Sequence, residues 1–314
     1  MTLAELLAQH ARRPQQGVPE WMLGYYKRRA ISFANGETDL HTHVCWLQSR
    51  TFTIDLRLPL QDRQVAAKTL ADYSAEELQV LANYEGWEAL SEWREPMLSW
   101  HSDTSLQLHN RWPEPAELKR FGNCMIEFAP SGAYVEDWRL QPSAPGPLIG
   151  LRLLEEREVE SAVVRHRGGG LIVCGDYAAL VLGRAEPLAV PDGTQLRDLV
   201  AAAVGDGAQL ARLFNFETSV AQGSLVEGFT VNLSTQPARV GQNLLALDGF
   251  EYLAADGRVR QTLDVDGIRC ERLFTIDTLE ITLPFAQATG FTPGAAAWFE
   301  RESPTLARYT QPLC

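Results

Sequence analysis

The sequence predicts a mainly β protein: two antiparallel β-barrels in tandem, each with one or two short helices. Three observations predict it. Stretches of alternating apolar and polar residues recur through both halves, as half-buried strands require. Turn signals separate them, including Asn35-Gly36, Ser131-Gly132 and Asp-Gly pairs starting at Asp248, Asp256 and Asp266. The order of parts in the first half (strands, one helix, a meander) returns in the second.

Bulk composition narrows the function classes. At 314 residues the chain is long enough for two cores. It carries 28 Lys+Arg against 40 Asp+Glu, a net charge of −12. That sign argues against a nucleic-acid partner held through phosphates and against an anionic membrane surface. No apolar run approaches the roughly 20 residues of a spanning helix. The opening MTLAELLAQHARRP lacks the basic segment and apolar block of a secretory signal. Five cysteines (Cys45, Cys124, Cys174, Cys270, Cys314) are odd in number with no C-x-x-C, so reduced thiols in a cytoplasmic protein are expected.

Residues 2–13 place Leu3, Leu6, Leu7 and His10 on one helical face, and Pro14 stops the helix. A strand over 21–33 follows. Residues 41–59, HTHVCWLQSRTFTIDLRLP, then read as two strands folded back on each other. His41, His43, Cys45 and Leu47 share a face with Phe52, Ile54, Leu56 and Leu58. Trp46, Gln48, Asp55 and Arg57 take the other. A two-residue loop at Ser49-Arg50 pairs Gln48 with Thr51 and His43 with Leu56. The apolar face, with both histidines, is expected inside the barrel, and the Asp55–Arg57 face outside.

Ser74 and Glu77 form a capping box for a helix over 74–84 that Gly86 ends. Strands are expected at 97–101, 105–109, 118–128, 133–140 and 148–154. The acidic run at 155–160 marks a boundary near residue 157, giving domains 1–157 and 158–314. Strands over 163–166 and 171–182 surround Gly168-Gly169-Gly170, read as a hairpin corner because no phosphate-loop pattern is present. A helix over 194–204 and strands at 213–220, 229–234 and 243–247 precede the Asp-Gly meander. Seven of eight tryptophans (all but Trp298) and five of six histidines (all but His166) lie before residue 140. The first barrel is therefore the better place for a pocket.

Trp46-Leu47-Gln48 followed by Asp55-Leu56-Arg57-Leu58-Pro59 resembles the W-L-Q…D-[IL]-R-[IL]-P pattern of a family of uncharacterised bacterial and fungal proteins. Its fungal member interacts with a casein-kinase-type kinase. The resemblance continues at Tyr134, Glu136 and Trp138, and at residues 229–242, where Phe229 and Ala238 stand in place of the family's tryptophans. It implies a double lipocalin-like, calycin-type barrel and no particular chemistry.

Several constellations are candidates for function. His41-x-His43 directs two imidazoles to one side, as metal pairs do, with Cys45 beyond and Glu136 or His101 available from other strands. No second ligand pair stands at fixed spacing, so no metal or cofactor is assigned. Tyr134, Glu136 and Trp138 share a strand face, where partial burial would raise the carboxyl and suit it to proton transfer. Asp55 and Arg57 form either a structural ion pair or a clamp for an anion. The leading reading is a ligand-binding protein whose first barrel holds a small, partly apolar molecule, lined by His41, His43, Trp100, Tyr134, Glu136 and Trp138. A protein-interaction module with filled barrels, and an enzyme using Glu136 with His41 or His43, are the alternatives; the balance leans away from an enzyme.

Overall fold

The computed structural model describes residues 1–109 and 113–285, together with 294, 297 and 301; Trp112, Trp298 and Cys314 lie outside them. Thr2 caps the first helix, α1 (Leu3–Gln9), through a capping box with Glu5. Eight strands then close into an antiparallel barrel: β1 (Gly24–Phe33), β2 (Thr42–Gln48), β3 (Phe52–Pro59), β4 (Glu85–Arg94), β5 (Met97–Ser105), β6 (Ala116–Phe121), β7 (Cys124–Phe128) and β8 (Tyr134–Leu140). Strands β1 and β8 pair to complete the ring, which leaves no free edge. The helix α2 (Ala75–Ala82) enters between β3 and β4 on the predicted capping box of Ser74 and Glu77.

The second half is an eight-stranded antiparallel sheet of β9 (Gly146–Glu158), β10 (Val164–Cys174), β11 (Tyr177–Arg184), β12 (Glu217–Ser224), β13 (Gly228–Ser234), β14 (Phe250–Leu253), β15 (Arg258–Val265) and β16 (Ile268–Leu283). Its order is β13-β12-β11-β10-β9-β16-β15-β14. Two helices, α3 (Leu196–Ala202) and α4 (Gly207–Leu213), join β11 to β12. Asp256-Gly257 and Asp266-Gly267 turn the two hairpins of the meander, as their sequence predicts.

Several expectations change. The leading helix belongs to the second sheet: Leu3, Leu6 and Leu7 are buried among Ile149, Leu171, Phe229 and Phe274. The backbones of Met1 and Phe250 bond to each other, as do those of Arg12 and Leu279. The chain passes from barrel to second sheet between Leu140 and Gly146, not at 157. The acidic run there ends a strand, and its charges are answered across the sheet, with Arg272 Nε 2.7 Å from Glu156. Gly168 and Gly169 form a bulge inside β10 rather than a hairpin corner. Their φ values of +69° and +114° supply the extra residue that shifts its register. The predicted strand at 118–128 is two strands, broken by a turn at Gly122, and the start of the one at 213–220 is the end of α4. The strand at 243–247 reduces to one bridge at Asn243, and of 105–109 only Ser105 is in a strand. Strand β4 has no counterpart in the sequence reading.

The central hairpin forms with its faces as predicted but its register moved by two. Gln48 pairs with Thr53 and His43 with Leu58, so Arg50-Thr51 rather than Ser49-Arg50 is the tip. A tip without Gly or Asn is held from outside. Asp277 on β16 accepts from Ser49 Oγ (2.5 Å), Thr51 Oγ1 (2.6 Å) and the Arg50 amide (3.0 Å). Arg50 forks onto Glu280 at 2.8 and 2.7 Å. Gly150 makes room, since a Cβ there would fall 2.3 Å from Ser49 Oγ.

This clamp predicts a stability effect. Asp277→Ala strands buried donors at the tip and should cost about 3 kcal/mol in urea unfolding, with Asp277→Asn milder. Equal stability of the alanine variant and the parent would show that the clamp is incidental.

Candidate functional site

The face of the hairpin that enters the barrel is the polar one. Strand β3 pairs with β4 so that Thr53 meets Ala89, Asp55 meets Trp87 and Arg57 meets Glu85; all six line one internal cavity. Trp46, Trp100, Tyr134, Trp138 and Glu127 line it from β2, β5, β7 and β8. The other face, with Phe52, Ile54 and Leu56, turns outward onto β10, β11 and β12. Close approach is visible at Gly86, where a Cβ would lie 2.5 Å from Thr218 Oγ1. The barrel thus has an apolar exterior on this side because a second sheet covers it, and a polar lumen because charges there can pair.

The placement of the predicted residues follows. Trp100, Tyr134 and Trp138 line the cavity. Glu136, on the same strand face, is buried and takes Arg28 Nη1 at 2.7 Å, while Arg28 Nη2 reaches Asp39 at 2.6 Å. His41 is exposed, and His43 is half-buried outside the barrel. It lines a groove with Lys27, Arg29 and Arg139 against Val220 and Gln222 of the second sheet. Burial, with Lys27 nearby, holds the His43 imidazole below its usual pKa. Neither histidine is lumenal, and the pairing of Glu136 with either is not formed. Asp55 and Arg57 make the expected ion pair, Arg57 Nε to Asp55 Oδ1 at 2.9 Å, but inside rather than outside. Among the described residues no group of three or more His, Cys, Asp or Glu is arranged to hold a metal. The four described cysteines are free and buried.

Sequence reasoning missed Glu127, Glu85, Trp46 and Trp87. Glu127 is paired across the ladder with Glu136, accepts from Trp138 Nε1 at 2.9 Å and from Tyr134 Oη at 3.1 Å. Burial first, and the Glu136 charge second, push its carboxyl up to about 8. Burial likewise raises Asp55 against the pull of Arg57. It would lower Arg57, but Asp55, Glu85 and Glu136 more than compensate and hold it firmly cationic. The signal for Glu127 was present: a lone acid in the apolar run Cys-Met-Ile-Glu-Phe.

The aromatic groups are locked. Trp46 stands edge-on to Trp138 (5.2 Å between centroids) and to Trp100 (6.0 Å), and Trp100 is edge-on to Trp87 (6.0 Å). Trp46 Nε1 donates to Gln48, which also accepts from Thr53 and donates to Ser91. The cavity they leave is about 70 Å³ and reaches solvent beside the exposed Asp103 and His109.

No family model and no curated protein matches the chain. Among solved structures, an uncharacterised protein from Saccharomyces cerevisiae superposes with a TM-score of 0.40 at 12% identity, over 80% of this chain and 98% of its own. No described helix is long and apolar enough to cross a membrane.

The raised Glu127 carboxyl predicts a pH dependence of stability. With its folded pKa above the unfolded one, the folded state holds an extra proton between 4.5 and about 8. The stability it contributes is present below that window and is lost as pH rises through it. Glu127→Gln keeps an uncharged, isosteric acceptor. Its melting temperature relative to the parent should climb between pH 5 and pH 9. A difference flat across that range would contradict the assignment.

Proposed function

We propose that the first barrel is a small-ligand binding module, cytoplasmic and without catalytic chemistry, coupled to the second sheet in a tandem, lipocalin-like arrangement. The observation that supports it is the lumen: a cavity lined by four tryptophan side chains with a few convergent polar groups, the usual composition of a small-molecule site. At about 70 Å³ the void is roughly half the volume, about 150 Å³, of a dry protein cavity that admits benzene. It takes a compact group of a ligand, and any longer part extends toward Asp103 and His109. A barrel filled for structure alone would have no use for a cavity open to solvent beside buried charge. Side-chain fixation favours the same reading. The indoles of Trp46, Trp100 and Trp138 are held by Gln48, Thr53 and Glu127, so they line the cavity without further ordering cost.

Ala89 is buried and lines the cavity with a small apolar side chain. Ala89→Leu should fill the void while keeping the strand. Native mass spectrometry of protein taken directly from cells should show a non-covalent adduct on the parent and none on this variant. A parent free of any adduct, or an adduct kept by the variant, would count against lumenal binding.

A further inference from the structure

The acidic balance of the chain reverses in the groove between the barrel and the second sheet. The groove has a volume of about 770 Å³ and shares no described lining residue with the lumen. Its described lining holds no Asp or Glu, although Asp and Glu outnumber Lys and Arg by 40 to 28 in the chain. Lys27 and Arg29 line it from β1, His43 from β2 and Arg139 from β8. Register brings these groups together. Lys27 pairs with Cys45 on one side and lies directly opposite Arg139 on the other, and like charges so placed repel. Asp137 answers Arg139 from its own strand at 2.7 Å, and Arg28, which also reaches the groove, is answered by Glu136 and Asp39. Lys27 and Arg29 form no ion pair with any described residue, whereas the other two lysines, Lys68 and Lys119, each hold a glutamate. Lys27 stands instead 5.7 Å from the centre of the Tyr25 ring.

We propose that this groove binds a small organic anion with an apolar body, its carboxylate or phosphate head held by Lys27 and Arg29 and its body lying on Tyr25, Tyr177, Val220 and Leu233. The site is separate from the lumen and stands without it. A cation would add to the charge already facing itself across β1 and β8, and a neutral guest would leave it unanswered. An anion answers it, and the guanidinium fork suits carboxylate and phosphate alike. The floor suits the body. Tyr25 and Val220 are buried, Tyr177 and Leu233 are half-buried, and the two tyrosine rings meet edge-on at 4.7 Å. The second sheet supplies the opposite wall through Gln222 and Asn232, exposed amides that offer N–H groups and no opposing charge. The volume lies within the range, roughly 300–1,000 Å³, of small-molecule sites.

The test uses full-length protein and calorimetry with four probes of one chain length: octanoate, octyl phosphate, octan-1-ol and octylammonium. Octanoate or octyl phosphate should bind at least about tenfold more tightly than the alcohol or the ammonium, and the tighter of the two names the head group. The double variant Lys27→Gln/Arg29→Gln and, from the opposite wall, Asn232→Glu should each weaken anion binding about tenfold. All three positions are exposed, so these variants should fold as the parent does. The charge-matched control Arg63→Gln/Arg197→Gln, outside the groove's described lining, should bind as the parent does. Alcohol binding as tight as that of either anion, anion binding unchanged in both groove variants, or no binding of any probe would overturn the assignment. So would an equal loss in the control, which would make the effect one of net charge alone.

Discussion

The structure depends on one packing constraint: the apolar face of the β2–β3 hairpin is buried against the second sheet. Phe52, Ile54 and Leu56 meet β10–β12, and Gly86 and Gly170 allow the backbones to come close. A strand has only two faces, so sealing one outward commits the other to the lumen. Trp46, Asp55 and Arg57 are lumenal for that reason. The Asp277 clamp on the hairpin tip and the Arg152–Glu88 pair at 3.0 Å fix the same interface with buried charge. Removing Arg152 or Asp277 would leave the buried Glu88 carboxylate or the buried Ser49 and Arg50 donors without their partner, so the interface is specific as well as apolar.

A polar lumen carries an electrostatic consequence. Among the described residues that line the cavity, carboxyl groups outnumber guanidinium groups, and burial penalises each one that ionises. Arg28 settles two of them, Glu136 and Asp39, and Arg57 settles Asp55. Glu127 accepts from two neutral donors, Tyr134 and Trp138, and the pull of the Arg57 charge is outweighed by burial and by the carboxylate across the ladder. Its proton is the cheapest way to lower the repulsion.

Much of the fold was legible in sequence because alternation and turn chemistry are local. The capping box at Ser74, the Asp-Gly hairpins and the faces of the 41–59 stretch all follow from short-range spacing. What failed was long-range. Period-two alternation says which residues share a face and nothing about which face meets which partner. The inward assignment of His41 and His43 rested on apolar residues seeking the barrel interior, and a second sheet offered them a larger apolar surface outside. The tip register depended on Asp277, more than 220 residues away in sequence. Strand β4 went unread because its acids, Glu85, Glu88 and Glu92, suggest a solvated segment, yet Glu88 is fully buried on Arg152. Trp100, Tyr134 and Trp138 were found because aromatic bias toward one half is a property of composition and needs no register.

The central claim is that the Asp55–Arg57 face of the hairpin looks into a desolvated lumen crowded with carboxylates. The most direct measurement is the titration of the Glu127 side-chain carboxyl by carbon-detected NMR. The account predicts a midpoint of about 8. A midpoint at the ordinary 4.5 would mean a solvated carboxyl and would contradict it.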